Sequence, residues 1–182
     1  MKKLILTLVL LAGITSTPAI AKPYISGSVG LGLLGDWDEV GYHEQFDSSA
    51  AWNGAVGYNF GSYRLEGAVG YENHNYKSPS VDDISLLTVM ANGYYDINTD
   101  SKITPYLMAG AGIADVDVSW STKSMTSFVW QVGAGVGFKV DDNITLDLGY
   151  RYIKPEGLDC PYEGNSVSLN SQHIMAGIRY QF

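Results

Sequence analysis

The sequence from His173 to Phe182 reads HIMAGIRYQF, and this stretch decides the fold class. Its even-numbered residues are apolar or aromatic, whereas its odd-numbered residues include a histidine and an arginine. Because successive side chains of a strand point to opposite faces, this alternation predicts a β-strand with one apolar face and one polar face.

Seven segments upstream show the same period of two. In the clearest of them, Tyr63 and Leu65 alternate with Arg64 and Glu66. Each segment is bounded by residues typical of turns, so each is predicted to be one strand. The predicted strands are Tyr24–Leu33, Ala51–Phe60, Tyr63–Tyr71, Ile84–Tyr95, Thr104–Ala114, Phe128–Val140, Ile144–Tyr152 and a last strand from about His173.

The connections between these strands alternate in length. Long connections span residues 34–49, 72–83, 115–127 and 154–170, and short ones lie at 61–62, 96–101 and 141–143. Long loops at one end and short turns at the other are typical of transmembrane β-barrels. The sequence therefore predicts an all-β fold, a closed eight-stranded antiparallel transmembrane β-barrel with up-and-down topology.

The composition agrees with a surface that faces lipid. Hydrophobic residues make up 46% of the chain, charged residues only 16%, and there are 13 tyrosines. No apolar run reaches the roughly 20 residues that a membrane-spanning helix needs. Aromatic residues fall near both ends of the predicted strands, as expected for two interfacial girdles.

The first 21 residues have the features of a secretory signal peptide. Lys2 and Lys3 precede an apolar run from Leu4 to Ile14, and a small-x-small step ends at Ala21. Cleavage there leaves a mature barrel domain of residues 22–182 and moves the net charge from −8 to −10. Such an acidic chain is not expected to bind nucleic acid, which requires a basic surface. The lone Cys160 is expected to be a tolerated loop residue or an intermolecular bridge.

Several short phrases give the chain a family resemblance. They are YRLE at 63–66, ANGYYD at 91–96, TPY at 104–106, GAG at 110–112 and LDLGYRY at 146–152. With the terminal Phe182, they resemble the small outer-membrane barrels that include the OmpA transmembrane domain, OmpX and the opacity-type surface antigens, the "porin family". The resemblance implies an integral outer-membrane protein surrounded by outer-membrane lipid. It also implies that Ile178, Tyr180 and Phe182 form the signal recognised by the barrel-assembly machinery.

The polar face of the strands predicts a charged lumen. Its expected members are Arg64, Glu66, Lys139, Asp147, Arg151 and Arg179. Strand three lies opposite strand seven in an eight-stranded barrel, so Arg64 and Glu66 are expected to meet Asp147 or Arg151 across the lumen. Two interpretations stay open. One is a structural charge network that fills the interior, and the other is a gated ion path.

The resemblance implies a scaffold that presents four external loops for surface-antigen, adhesion or envelope-integrity roles, with host or cell-surface molecules as partners. Aromatic residues in the predicted loops are the expected contacts. These are Trp37, Tyr42, Phe46 and Trp120. The alternatives are a narrow low-conductance channel and a lipid-directed outer-membrane enzyme.

Little in the sequence favours catalysis. Ser171 and His173 are the best nucleophile and base, but they share the predicted lumen face rather than a lipid-facing one. His43 and His74 lie in different loops without an associated motif. Loop 35–49 is rich in acids but matches no calcium-loop spacing, so no metal site and no cofactor are predicted.

Overall fold

The computed structural model describes residues 21–34, 49–74, 84–118, 125–156 and 170–182. Eight strands form one closed barrel in chain order, and every neighbouring pair is antiparallel, including β1 with β8. The predicted fold class is therefore confirmed. The strands are β1 Lys22–Leu34, β2 Ser49–Asn59, β3 Tyr63–His74, β4 Ile84–Asp96, β5 Ile103–Val118, β6 Met125–Lys139, β7 Ile144–Glu156 and β8 Ser171–Gln181.

The alternation read from the sequence matches the two faces of the barrel. On β3, Leu65 is 59% exposed on the outside, whereas Arg64 is 3% exposed on the inside. On β8, Ile174 and Ile178 are exposed and His173 is buried. The barrel therefore places its aliphatic surface outside and its polar groups in the lumen, the reverse of a water-soluble barrel.

The third long connection is shorter than predicted. β5 continues to Val118 and β6 begins at Met125, and the two strands stay paired as far as Val116 and Met125. The predicted loop over 115–127 is therefore wrong at both ends. Asp115 interrupts the apolar pattern, but its backbone stays in the ladder, where pairing satisfies the peptide groups.

Two inward glycines make room for large side chains inside the barrel. A Cβ on Gly57 would lie 2.6 Å from the Tyr24 ring, and a Cβ on Gly135 would lie 2.5 Å from the Tyr106 ring. Glycine at these positions therefore leaves the space that the two rings occupy. Within the described ranges, no helix is long and apolar enough to cross a membrane.

Candidate functional site: the polar lumen

The Glu66 carboxylate is the centre of the lumen network. Its Oε2 accepts hydrogen bonds from Tyr24 (3.1 Å) and Ser26 (3.3 Å) on β1. Its Oε1 accepts hydrogen bonds from Asn92 (3.2 Å) and Tyr94 (2.8 Å) on β4. An ionised carboxylate offers about four acceptor sites, so neutral donors alone satisfy this buried charge and join three strands.

A buried ion pair lies beside it. The Arg64 guanidinium donates two hydrogen bonds of 2.8 Å to Asp96, and both side chains are more than nine-tenths buried. The guanidinium also lies 4.2 Å from the ring centroid of Tyr94 and 5.1 Å from that of Tyr106. Charge pairing, two donated hydrogen bonds and two adjacent aromatic rings hold Arg64 in one orientation.

The second lumen ion pair also joins neighbouring strands. Arg179 on β8 lies 3.5 Å from Asp147 on β7. Arg64 and Glu66 were expected to meet Asp147 or Arg151 across the lumen, but the hydrogen bonds of these two side chains join β3 to β4 and β1 instead. In the register, Arg64 faces Tyr94, and Asp96 lies two residues further along the same face. Long side chains reach such diagonal neighbours before they reach the opposite wall.

The remaining two predicted lumen charges differ from the others. Lys139 lies at the end of β6, where its half-exposed side chain pairs with Asp142 at 3.0 Å. Its ion pair therefore lies at the turn and not in the lumen network. This ammonium holds the pKa of Asp142 below its usual value. Arg151 does line the lumen, but it makes no ion pair with a carboxylate among the described residues.

A second polar cluster lies nearer the end of the barrel that carries the long connections. His173 Nε2 on β8 lies 3.2 Å from Glu72 Oε1 on β3 and 2.7 Å from Ser171 Oγ. β8 and β3 are separated by β1 and β2, so the His173–Glu72 contact crosses the lumen. Both residues and Arg151 line a cavity of about 40 Å³. That volume holds about three water molecules but no lipid substrate.

The geometry of this cluster differs from a nucleophile–base–acid relay. In such a relay the acid contacts one imidazole nitrogen and the nucleophile contacts the other. Here a single nitrogen, Nε2 of His173, serves both Ser171 and Glu72. The hydroxyl and the carboxylate therefore compete for one nitrogen, whereas a relay uses both.

Sequence reasoning missed several lumen residues. Asp96 was assigned to a turn and Glu72 to a loop, although both continue the inward alternation, Asp96 after Asn92 and Glu72 after Gly70. The tyrosines Tyr24, Tyr94 and Tyr106 were also missed as lumen residues. They are 1%, 6% and 7% exposed. Continuing the inward alternation through position 72 on β3 and position 96 on β4 would have found Glu72 and Asp96.

Other predicted residues lie outside the described ranges. They are Trp37, Tyr42, Phe46 and Trp120, together with His43, Cys160, the acidic loop 35–49 and most of the predicted signal peptide. Ile178, Tyr180 and Phe182 do lie on the outer face, and the last two rings pack edge to face at 5.2 Å. Across the described strands and turns, no group of three or more His, Cys, Asp or Glu side chains is arranged to hold a metal.

A family model described as the outer membrane protein beta-barrel domain matches residues 5–182. The chain belongs to this family. Membership in the outer membrane protein beta-barrel family, together with the lipid-compatible outer face, makes the chain an integral protein of the bacterial outer membrane. In barrels of this class the long connections are external and the short turns periplasmic, and we expect the same orientation here.

Two similar proteins carry names that refer to the membrane or the surface. Outer membrane protein PagN of Salmonella typhimurium is 36% identical over 56% of this chain and 52% of its own length. Major surface antigen 4 of Anaplasma marginale is 24% identical over 80% of this chain and 62% of its own length. The chain thus spans about half of PagN.

A solved structure agrees with the whole barrel. Neisserial surface protein A aligns with a TM-score of 0.69 and 28% identity, over 89% of this chain and 99% of that one. The fold and the membrane location thus follow from the family. The role of the lumen and of the loops has to be argued from this chain's own residues.

Proposed function

We propose that the protein is a sealed scaffold that presents its external loops, without catalysis, to surface molecules of a host or of other cells. The observation that carries the proposal is a hydrogen-bond chain across the lumen. Gln131 on β6 donates to Asn92 on β4 at 2.6 Å, Asn92 donates to Glu66 on β3, and Tyr24 on β1 donates to Glu66.

This chain of bonds leaves little room for a permeating ion. An ion that entered the lumen would have to displace donors from a satisfied buried carboxylate, which costs the desolvation of each group. Arg64 lies two residues from Glu66 on β3, and its ion pair with Asp96 is a further obstruction in the lumen. The lumen is thus better suited to rigidity than to transport.

The topology and the relatives support display. The four connections that follow β1, β3, β5 and β7 leave the same end of the barrel, and loops on a rigid scaffold are the usual sites of recognition. Neisserial surface protein A has the same architecture, and Major surface antigen 4 is similar in sequence over 80% of this chain. The outer face would be covered by outer-membrane lipid, and the barrel-assembly machinery would recognise the strand that ends at Phe182.

The loop role can be tested in intact bacteria. The full chain and a variant whose four long connections are replaced by short turns would be expressed in a non-adherent bacterial host. Adherence to cultured epithelial cells would then be counted. We expect adherence only with the full chain, at equal amounts of heat-modifiable barrel in the membrane. Equal adherence of the two strains would contradict loop display.

The sealed lumen is tested separately, against the narrow channel. Residues 22–182 would be refolded and inserted in a planar bilayer, together with the variants Glu66→Ala and Asp142→Asn. We expect a silent wild type and a silent Asp142→Asn, because Asp142 lies in a periplasmic turn. Glu66→Ala removes the centre of the network, so it is the variant expected to leak. Reproducible wild-type channels would establish the channel instead.

A further inference from the structure

Four side chains on the outer face of β6 and β7 contact one another. We call Trp130, Tyr152, Lys154 and Glu156 the rim cluster. Trp130 Nε1 donates to Glu156 Oε1 at 2.9 Å, and the Trp130 and Tyr152 rings lie 5.8 Å apart. Lys154 faces Trp130 directly across the ladder, with its Nζ 3.6 Å from Glu156 Oε1.

The neighbouring strand extends this ordered surface. Tyr150 on β7 donates its hydroxyl hydrogen to Gln172 Oε1 on β8 at 2.7 Å. The result is two aromatic faces surrounded by an ammonium, a carboxylate and an amide. Aromatic rings that present a flat face beside polar groups suit a ligand with both apolar and hydroxyl-bearing surfaces.

The rim cluster lies at the height of the external headgroups. Phe138 marks the periplasmic end of β6, eight residues from Trp130. At about 3.3 Å per residue and a tilt of about 40°, the two rings are separated by about 20 Å along the membrane normal. An apolar band about 25 Å tall therefore ends close to Trp130 and Lys154. The charged head of Lys154 thus reaches the layer where lipid phosphates lie.

Lys154 is distinctive in its charge. Of the described residues that face outward near the external ends of the strands, it is the only cation. Its contact with Glu156 is long and the two side chains are 33% and 48% exposed, so the pair is loose. The chain as a whole is acidic, so anionic lipid is not attracted to it in general.

We propose that the rim cluster binds the phosphorylated sugar headgroup of an outer-leaflet glycolipid. Lys154 contacts the phosphate and releases its loose contact with Glu156. Trp130 and Tyr152 pack against the sugar ring, while Glu156 fixes the indole through its hydrogen bond. The site lies on the barrel wall, so it does not depend on what the external loops bind.

Binding would be measured on the refolded mature chain by native mass spectrometry in detergent, with bisphosphorylated lipid A as the probe. The variant is Lys154→Gln, and the matched control is Lys102→Gln, an exposed lysine in a periplasmic turn. One lysine near a charged lipid surface corresponds to about a fivefold change in affinity. We therefore expect Lys154→Gln to bind lipid A about fivefold more weakly and Lys102→Gln to bind like the wild type.

The nature of the ligand is tested by two further titrations. Dephosphorylated lipid A should bind wild type as weakly as lipid A binds Lys154→Gln, and inorganic phosphate should not compete at millimolar concentration. Equal affinity for both lipids, or equal loss in both lysine variants, would overturn the proposal. Competition by inorganic phosphate would overturn the assignment to a lipid. Gel heat-modifiability confirms that every variant is folded.

Discussion

The buried ion pair between Arg64 and Asp96 makes a sharp prediction. Asp96→Asn keeps the shape of the side chain but removes the negative charge, leaving Arg64, which is 3% exposed, without its ion-pair partner. Breaking one side of a buried pair costs about 3–5 kcal/mol. The faces of Tyr94 and Tyr106 still attract the guanidinium and return about 1 kcal/mol. We therefore expect a loss near 3 kcal/mol.

The assay is urea unfolding of the refolded protein in lipid vesicles, followed by tryptophan fluorescence. A loss near 3 kcal/mol corresponds to a change of about two orders of magnitude in the unfolding constant. An unchanged slope of free energy against urea would show that the same surface is exposed on unfolding. The control is Asp142→Asn, which breaks an exposed turn pair and should leave stability unchanged.

The double variant Arg64→Gln with Asp96→Asn refines the test. It removes both charges of the pair, so part of the lost stability should return, because neither member of the pair is then left buried without the other. The reasoning is refuted if Asp96→Asn unfolds at the same urea concentration as the control. It is also refuted if adding Arg64→Gln to Asp96→Asn lowers the free energy of unfolding by as much as Arg64→Gln does alone.

Three further predictions concern single side chains and the N-terminus. Gly57→Ala places a methyl group 2.6 Å from the Tyr24 ring and should lower the free energy of unfolding by about 1–3 kcal/mol. The control is Gly54→Ala on the outer face of the same strand, where the methyl group meets no atom within 4 Å and stability should not fall. Tyr24→Phe removes a hydrogen bond to the Glu66 carboxylate and should cost about 1.5–3 kcal/mol in the same urea assay. Intact mass spectrometry of the protein purified from membranes should give a chain that begins at Lys22, and retention of residues 1–21 would contradict the signal peptide.

The outer face could be read from the sequence because it obeys a local rule. On β8 every second residue from Ile174 to Ile178 is apolar, and no partner residue is needed to know that these side chains share a face. The alternation of long and short connections then fixed the antiparallel order. The weak points were the strand ends, as on β5, where Asp115 looked like the start of a loop but stays in the ladder.

The sequence by itself thus determined the number of strands, their faces and the charged character of the lumen. Only the tertiary structure decided the partners inside it. Arg64 was predicted to face inward, but its pairing with Asp96 depends on the register of β3 against β4. The contact of His173 with Glu72 depends on closure of the barrel. Facing follows from a period of two within one strand, whereas pairing depends on distances between strands far apart in the chain.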